Sequence, residues 1–233
     1  MKKVFITLVF ILTTIVSFSQ STDNTLKFLG HPVDGSKESM ERHLRSRGFK
    51  YMDYTDSYQG KFNGKEVDVF ISVNSRNLVD RIYVSFPKTN SESTIINEYN
   101  RLLEQFEENE KYVPLMEENS KIPTNEDISY EMSIKNKVYQ SSFYSIPDST
   151  VLKQEIQSSL TEEQFERLQQ LKSEKISEED LNIEDIQTIM TVLEITQKVI
   201  TGNVWFTIHE KYGYYNIGLY YDNLKNRPNG EDL

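Results

Sequence analysis

The pentapeptide YQGKF at residues 58–62 returns as YQSSF at residues 139–143. Each copy comes after a segment with helical spacing of apolar residues. Each also comes before two runs in which apolar and polar residues alternate, the pattern of a strand with one buried face. The repeat predicts that the two pentapeptides are equivalent strands of a duplicated unit, each unit a helix followed by a β-meander. The alternative is coincidence among residues that favour strands.

The first copy of the unit carries strong local signals. Met40 and Leu44 lie one turn apart on a predicted helix that opens at Asp34 or Ser36 and ends at Gly48. Two strand signals follow. Asn63-Gly64 predicts a tight hairpin, and alternating apolar residues continue the meander at Val67, Val69, Ile71, Val73, Ile82, Val84 and Phe86.

The second copy repeats this order around an interruption. Its helix has one apolar stripe, and its last strands are TGNVWFTIH and YNIGLYYDN; the stripe comprises Ile95, Tyr99, Leu102, Leu103 and Phe106. The predicted class is therefore α+β, with helices packed on one face of an antiparallel sheet and an inserted acidic helical segment. The predicted boundaries are 1–19 for a signal peptide, 20–90 for the first unit, and 91–233 for the second unit with its insert at 146–201.

The insert contains two predicted helix starts. Thr161 with Gln164 and Ser177 with Asp180 each fit a capping box. The last predicted helix of the insert has an apolar face with Ile186, Met190 and Leu193. Three roles stay open for the insert: a lid, a partner-binding arm, or helices that pack on the sheet.

The first 19 residues read as a secretory signal peptide. Lys2 and Lys3 precede an apolar run, and Ser17 and Ser19 place small side chains before the predicted cut. A membrane anchor is the alternative, but the run is shorter than the roughly 20 residues that span a bilayer. No Cys is present to carry a lipid, and no later segment is long and apolar enough to span. We therefore expect a periplasmic or secreted protein.

Composition excludes several classes of function. The net charge of −10 becomes −12 when the two lysines of the signal peptide are removed, so nucleic acid is not an expected partner. Without Cys there is no disulfide, thiol nucleophile or thiolate metal site. The three histidines lack ligand spacing, no nucleotide-binding or hydrolase motif occurs, and paired carboxylates sit mainly at helix starts. We expect no cofactor, no metal and no enzymatic activity.

The final hairpin predicts a surface. A four-residue connection at 210–213 would pair Ile208 with Tyr215, Phe206 with Ile217, and Val204 with Leu219 on the inner face. The outer face then carries Trp205 opposite Gly218, with His209, Tyr214 and Tyr220, and the first unit adds Phe70, Arg81 and Tyr83. Clustered outward aromatic residues indicate a binding surface. The alternative is that inserted helices or chain ends cover this face.

Three segments carry a resemblance to known proteins. LKFLGHPVDGSKESMERHLRSRGFKY, GKFNGKEVDVFISV and YYDNLKNRPNGEDL resemble a group of uncharacterised exported proteins of Gram-negative bacteria, over Leu26–Phe86 and Gly202–Leu233. That group has no established activity to carry over. The tandem order of elements also looks like the β-lactamase inhibitor protein fold, whose sheet binds another protein. That fold uses disulfides, which this chain lacks, so the likeness implies shape only.

These observations give three functional hypotheses, of which the last is a structural role in the cell envelope with the helical insert, Leu160 to Ile200, as the contact arm. The first is an exported, non-enzymatic binding protein that holds a protein or peptide partner on its aromatic sheet face. The second is a carbohydrate-binding accessory protein or an acid/base hydrolase of the cell envelope, because aromatic rings also stack on sugars and carboxylates can act as acid and base.

Overall fold

A computed structural model describes residues 25–115, 120–145, 149–172 and 181–227. The chain divides into two compact units. The sheet unit contains Thr25–Ser145 with Gly202–Leu233, and the helical unit contains Ile146–Thr201. The predicted signal peptide at 1–19 and the predicted cap at Ser177 and Asp180 lie outside the described residues.

An antiparallel sheet of eight strands forms the framework of the sheet unit, beside a short hairpin of two strands. The hairpin strands are β1 (Lys27–Phe28) and β2 (His31–Pro32). The sheet strands are β3 (Lys50–Met52), β4 (Ser57–Phe62), β5 (Lys65–Val73), β6 (Val79–Ser85), β7 (Tyr112–Pro114), β8 (Gln140–Ser145), β9 (Gly202–Lys211) and β10 (Tyr214–Asn223). Their order across the sheet is β3-β4-β5-β6-β10-β9-β8-β7.

The strand order shows the duplication. Helix α1 (Lys37–Ser46) precedes β3 to β6, and helix α2 (Glu92–Glu107) precedes β7 to β10. The halves join through their last strands, because β6 pairs with β10. YQGKF lies in β4 and YQSSF spans the start of β8, the second strand of each half. The predicted α+β fold of two helix-plus-meander units is confirmed. A further helix, α3 (Ile128–Lys135), was not predicted.

The ends of α1 follow the predicted chemistry. The Ser36 side chain accepts a hydrogen bond from the Ser39 amide at the start of the helix. At the other end Gly48 adopts φ 88°, and the Phe49 amide donates to the Leu44 carbonyl at 3.0 Å. Only glycine takes this left-handed position without strain, and the bond satisfies a carbonyl that the helix leaves free. The helix therefore stops where the first meander begins.

One core cluster joins the helices of the sheet unit to the inward face of the sheet. Tyr99 of α2 shows the contact, because its hydroxyl forms a 2.7 Å hydrogen bond with buried Ser141 of β8. Phe106 of α2 stacks on Phe143 and Phe206 with ring centroids 5.1 Å and 5.8 Å apart. The apolar side chains of both halves thus point to the same side, and the alternate residues of the central strands point to the other.

The helical unit has a core of its own. It contains α4 (Ser149–Ser159), α5 (Glu162–Lys172) and α6 (Ile183–Val199). Its buried apolar residues are Leu152, Ile156, Leu168, Leu171, Ile189 and Val192. At the start of α5 the Thr161 and Gln164 side chains exchange hydrogen bonds with each other's amides at 3.0 Å and 3.2 Å, so this predicted capping box is confirmed.

The predicted apolar face of α6 is wrong for two of its three residues, because only Leu193 packs against the core of the helical unit. Ile186 and Met190 are 49% and 53% exposed, whereas Asp185 and Thr188 on the opposite side are buried with the core residues. The charged residue Asp185 occupies its interior position because it has a partner. The carboxylate of Asp185 accepts two hydrogen bonds from the guanidinium of Arg167, and this pairing offsets the cost of burying a charge.

Replacing Ile146–Thr201 with the dipeptide Asn-Gly is expected to leave the sheet unit folded. Tyr144 of β8 pairs directly with Asn203 of β9, so Ser145 and Gly202 are neighbours that a two-residue turn can join. The measurement is circular dichroism of the shortened protein. We expect the helical signal at 222 nm to fall while the near-ultraviolet aromatic bands and a cooperative melting transition persist. Loss of those aromatic bands would contradict the independence of the sheet unit.

Candidate functional site

The hairpin of β9 and β10 is tighter than predicted. Lys211 pairs with Tyr214, so the connection is the two-residue turn Tyr212-Gly213 rather than a four-residue loop at 210–213. Both turn residues have positive φ, 55° and 75°, the type I′ geometry that matches strand twist. The pairing therefore moves by two residues relative to the prediction, and an even shift leaves each side chain on its predicted face.

Four aromatic rings form a row across the outward face of the central strands. Phe70 of β5 lies directly opposite Tyr83 of β6, Tyr83 opposite Tyr220 of β10, and Tyr220 opposite Trp205 of β9. The centroids of successive rings are 5.4, 4.6 and 3.9 Å apart, with interplanar angles of 22°, 15° and 8°. We call these four residues the aromatic ladder. All four are half-buried.

The ladder follows the internal duplication. β6 and β10 meet in antiparallel register at Tyr83 and Tyr220, so a pseudo-twofold axis between them relates Tyr83 to Tyr220 and Phe70 to Trp205. The rows beside the ladder break this symmetry. Arg81 faces Asp222 on one side, whereas Ser85 faces Gly218 on the other. The two central strands therefore carry a charged pair on one side of the ladder and two small residues on the other, so the two sides of the ladder differ.

The charged pair supports the ladder through a buried carboxylate. Asp222 has a side chain that is 3% exposed and accepts from Arg81 Nε at 2.5 Å and Nη2 at 2.9 Å. It also accepts from Trp205 Nε1 at 3.0 Å. The Arg81 guanidinium lies 5.7 Å from the Trp205 centroid and 5.5 Å from that of Tyr220, within cation–π range. The hydrogen bonds from Arg81 to Asp222 raise the pKa of the guanidinium, which stays charged.

On the other side, Gly218 lets two rings lie on the sheet. A Cβ atom at Gly218 would come within 2.7 Å of His209 Nε2 and 3.1 Å of the Tyr220 ring, so a larger residue would displace them. His209 Nε2 is 3.2 Å from the Tyr220 hydroxyl. Burial lowers the pKa of His209. Burial is also the main cause that raises the pKa of Tyr220 to about 12, with interactions from Tyr83 adding to it.

Six of the seven predicted site residues thus come together: the four ladder residues, Arg81 and His209. Tyr214 does not join them. It lies six residues from Tyr220 along β10, about 20 Å at the rise of an extended strand, and its side chain is 59% exposed. It belongs instead to the tip of the hairpin, beyond the last residue of β10 that pairs with β6, Gly218.

Two further residues of the site, Asp222 and Gly218, were not predicted to belong to it. The partner of Asp222, Arg81, lies 141 residues away in the chain, so no local pattern points to the pair. Gly218 lies two residues from Tyr220 on β10, and the correct hairpin register, with Gly218 opposite Thr207, would also have placed it next to His209. The structure also stacks His31 on His43, with ring centroids 4.6 Å apart, although their spacing suggested no pairing.

The described residues contain no group of three or more His, Cys, Asp or Glu side chains placed to hold a metal ion. No helix in the described ranges is long and apolar enough to cross a membrane.

Comparisons with protein-family models, curated proteins and solved structures found no match to this chain. The resemblances to exported Gram-negative proteins and to the β-lactamase inhibitor fold stay predictions.

Proposed function

We propose that this chain is an exported, non-catalytic binding protein that holds a protein or peptide partner on the aromatic ladder. The observation that supports the proposal is the ladder itself: four rings from four adjacent strands, in direct register and half-exposed on the side of the sheet opposite the core. Rigid aromatic side chains bury much area on binding and lose few torsional states, so they commonly supply the strongest contacts of an interface.

Ring geometry favours a protein over a sugar. A sugar stacks on the flat face of an aromatic ring, but the ladder rings stack on one another at small interplanar angles. Their faces are therefore largely occupied, and the ladder offers ring edges and hydroxyl groups. Edges and hydroxyls suit backbone amides, carbonyls and apolar side chains of a protein.

The edge strands of the sheet are poorly suited to binding a partner, so the face of the sheet is the better contact surface. The outer strands β3 (Lys50–Met52) and β7 (Tyr112–Pro114) have three residues each, and the second ends in proline. Short edges and proline disfavour the addition of a partner strand. With a net charge of −10, the chain should also repel acidic partners at long range, so we expect a neutral or basic one.

Phe70→Ala is expected to weaken partner binding about tenfold or more, whereas Tyr214→Ala should change it less than about twofold. Phe70 is the end ring of the ladder, so its removal disturbs the remaining stack least. Tyr214 is the matched control because it is an exposed aromatic residue of the same sheet outside the ladder. Candidates would come from capture in the envelope fraction, and the dissociation constants would be measured with the purified partner.

Equal binding by wild type and Phe70→Ala would overturn the proposal, as would a partner whose binding is lost only in Tyr214→Ala. Melting curves of both variants check that they remain folded. A purified glycan that binds wild type but not Phe70→Ala would favour the carbohydrate-binding alternative instead.

A further inference from the structure

The imidazole of His209 is placed to act on the ladder. Its Nε2 lies 3.2 Å from the Tyr220 hydroxyl, and both rings cover Gly218. Its cross-strand neighbour on β10 is the uncharged Asn216. On its own strand, Lys211 lies two residues further on the same face, and the Glu210 carboxylate accepts from the Gly213 amide. Towards β8, the nearest paired residue is the uncharged Gln140, opposite Thr207.

The ionisation state of His209 decides which way this hydrogen bond runs. A neutral imidazole with its hydrogen on Nδ1 can accept the Tyr220 O–H hydrogen at Nε2. When a proton from solvent adds to Nε2, that nitrogen becomes a donor to the Tyr220 oxygen. The Tyr220 hydrogen must then turn away from His209, towards Tyr83 or solvent. No other bond forms or breaks.

We propose that His209 and Tyr220 form a proton-operated switch that sets the hydrogen-bonding character of the aromatic ladder. With His209 neutral, the Tyr220 hydrogen is directed at His209 Nε2 and the hydroxyl offers its oxygen lone pair. With His209 protonated, the same hydroxyl offers a donor beside a new positive charge. The consequence for binding rests on the proposed function: a partner carbonyl at Tyr220 should bind more tightly in acid.

Trp205 makes the switch measurable without any partner. It is the chain's one tryptophan and stacks on Tyr220 at 3.9 Å, so its fluorescence reports on the ladder. Burial lowers the pKa of His209, so we expect the full-length chain to show a one-proton change in Trp205 emission with a midpoint below the ordinary value near 6.5. His209→Gln should abolish this change.

His31→Gln is the matched control, because burial and the nearby His43 lower the pKa of His31 as well. It should leave the Trp205 transition in place. Persistence of the transition in His209→Gln would overturn the switch. So would nitrogen NMR that finds the neutral ring protonated on Nε2.

Both measurements use the free protein, so they separate the switch from the proposed function. Failure of Phe70→Ala to affect a partner would remove the binding proposal and leave the switch standing. A missing Trp205 transition would remove the switch and leave the binding proposal untouched.

Discussion

Asp185→Ala is expected to lower the stability of the helical unit by about 2–4 kcal/mol. The Asp185 side chain is 2% exposed and accepts from Arg167 Nε at 2.9 Å and Nη2 at 3.0 Å. It also accepts from the Asn182 amide, completing the capping box at the start of α6. Alanine would leave the guanidinium without this carboxylate partner and the amide without an acceptor. We expect a loss of stability below the full cost of breaking a buried ion pair, because the Arg167 side chain is partly exposed. Denaturant unfolding followed by circular dichroism at 222 nm measures the change.

Glu184→Ala is the matched control for Asp185→Ala. Glu184 lies in the same first turn of α6 but is exposed, so its loss should cost less than about 0.5 kcal/mol. Equal effects of the two substitutions would contradict the role of the buried pair.

The same pair predicts a dependence on pH. Hydrogen bonds from Arg167 are the main cause that lowers the pKa of Asp185. A carboxyl group with a lowered pKa stabilises the fold fully above its ordinary value, near 3.9, and progressively less as pH falls below it. The difference in stability between wild type and Asp185→Asn should therefore shrink in this acidic range.

Much of the fold could be predicted because its signals are local. The Schellman stop at Gly48 and the capping box at Thr161 depend on contacts a few residues apart, and each confirmed prediction fixed an element boundary. The type I′ turn at Asn63-Gly64 belongs to the same class, with φ of 50° and 76°. At Tyr212-Gly213 the same geometry carries no such signal, because a bulky residue rarely takes a left-handed conformation.

The ladder could be predicted only in part. Strand parity placed Trp205, Tyr220, Phe70 and Tyr83 on one face, since alternation survives a register error of two residues. Which residues touch was beyond the sequence, because the Tyr83–Tyr220 contact depends on the pairing of β6 with β10. The prediction of the apolar face of α6 was wrong for a related reason. Asp185 is buried because its partner Arg167 lies on another helix, and the spacing of apolar residues gives no information about such a partner.

Asp222→Ala is expected to destabilise the sheet unit by about 2–4 kcal/mol and to disorder one end of the ladder. The carboxylate is the shared acceptor of Arg81 and Trp205. Its removal would leave a half-buried guanidinium unpaired and free the indole N–H that fixes the Trp205 ring against Tyr220. Because the chain has one tryptophan, the emission of Trp205 should shift to the red in the folded variant as its ring becomes more exposed. Denaturant unfolding gives the loss of stability.

Asp68→Ala is the control for Asp222→Ala, because it removes a different carboxylate from the outward face of the sheet. Asp68 lies on β5 two residues from Phe70 and has only a long 3.4 Å contact with Gln59, so its removal should cost less than about 0.5 kcal/mol and leave Trp205 emission unchanged.

The double variant Arg81→Ala, Asp222→Ala should be less destabilised than the sum of the single changes, because each single change leaves the other charge unpaired. Additive losses would mean that the two side chains act separately. The ladder would then depend on stacking and on the hydrogen bond from Trp205 to Asp222, and Arg81 could be replaced without disturbing the face that we propose binds the partner.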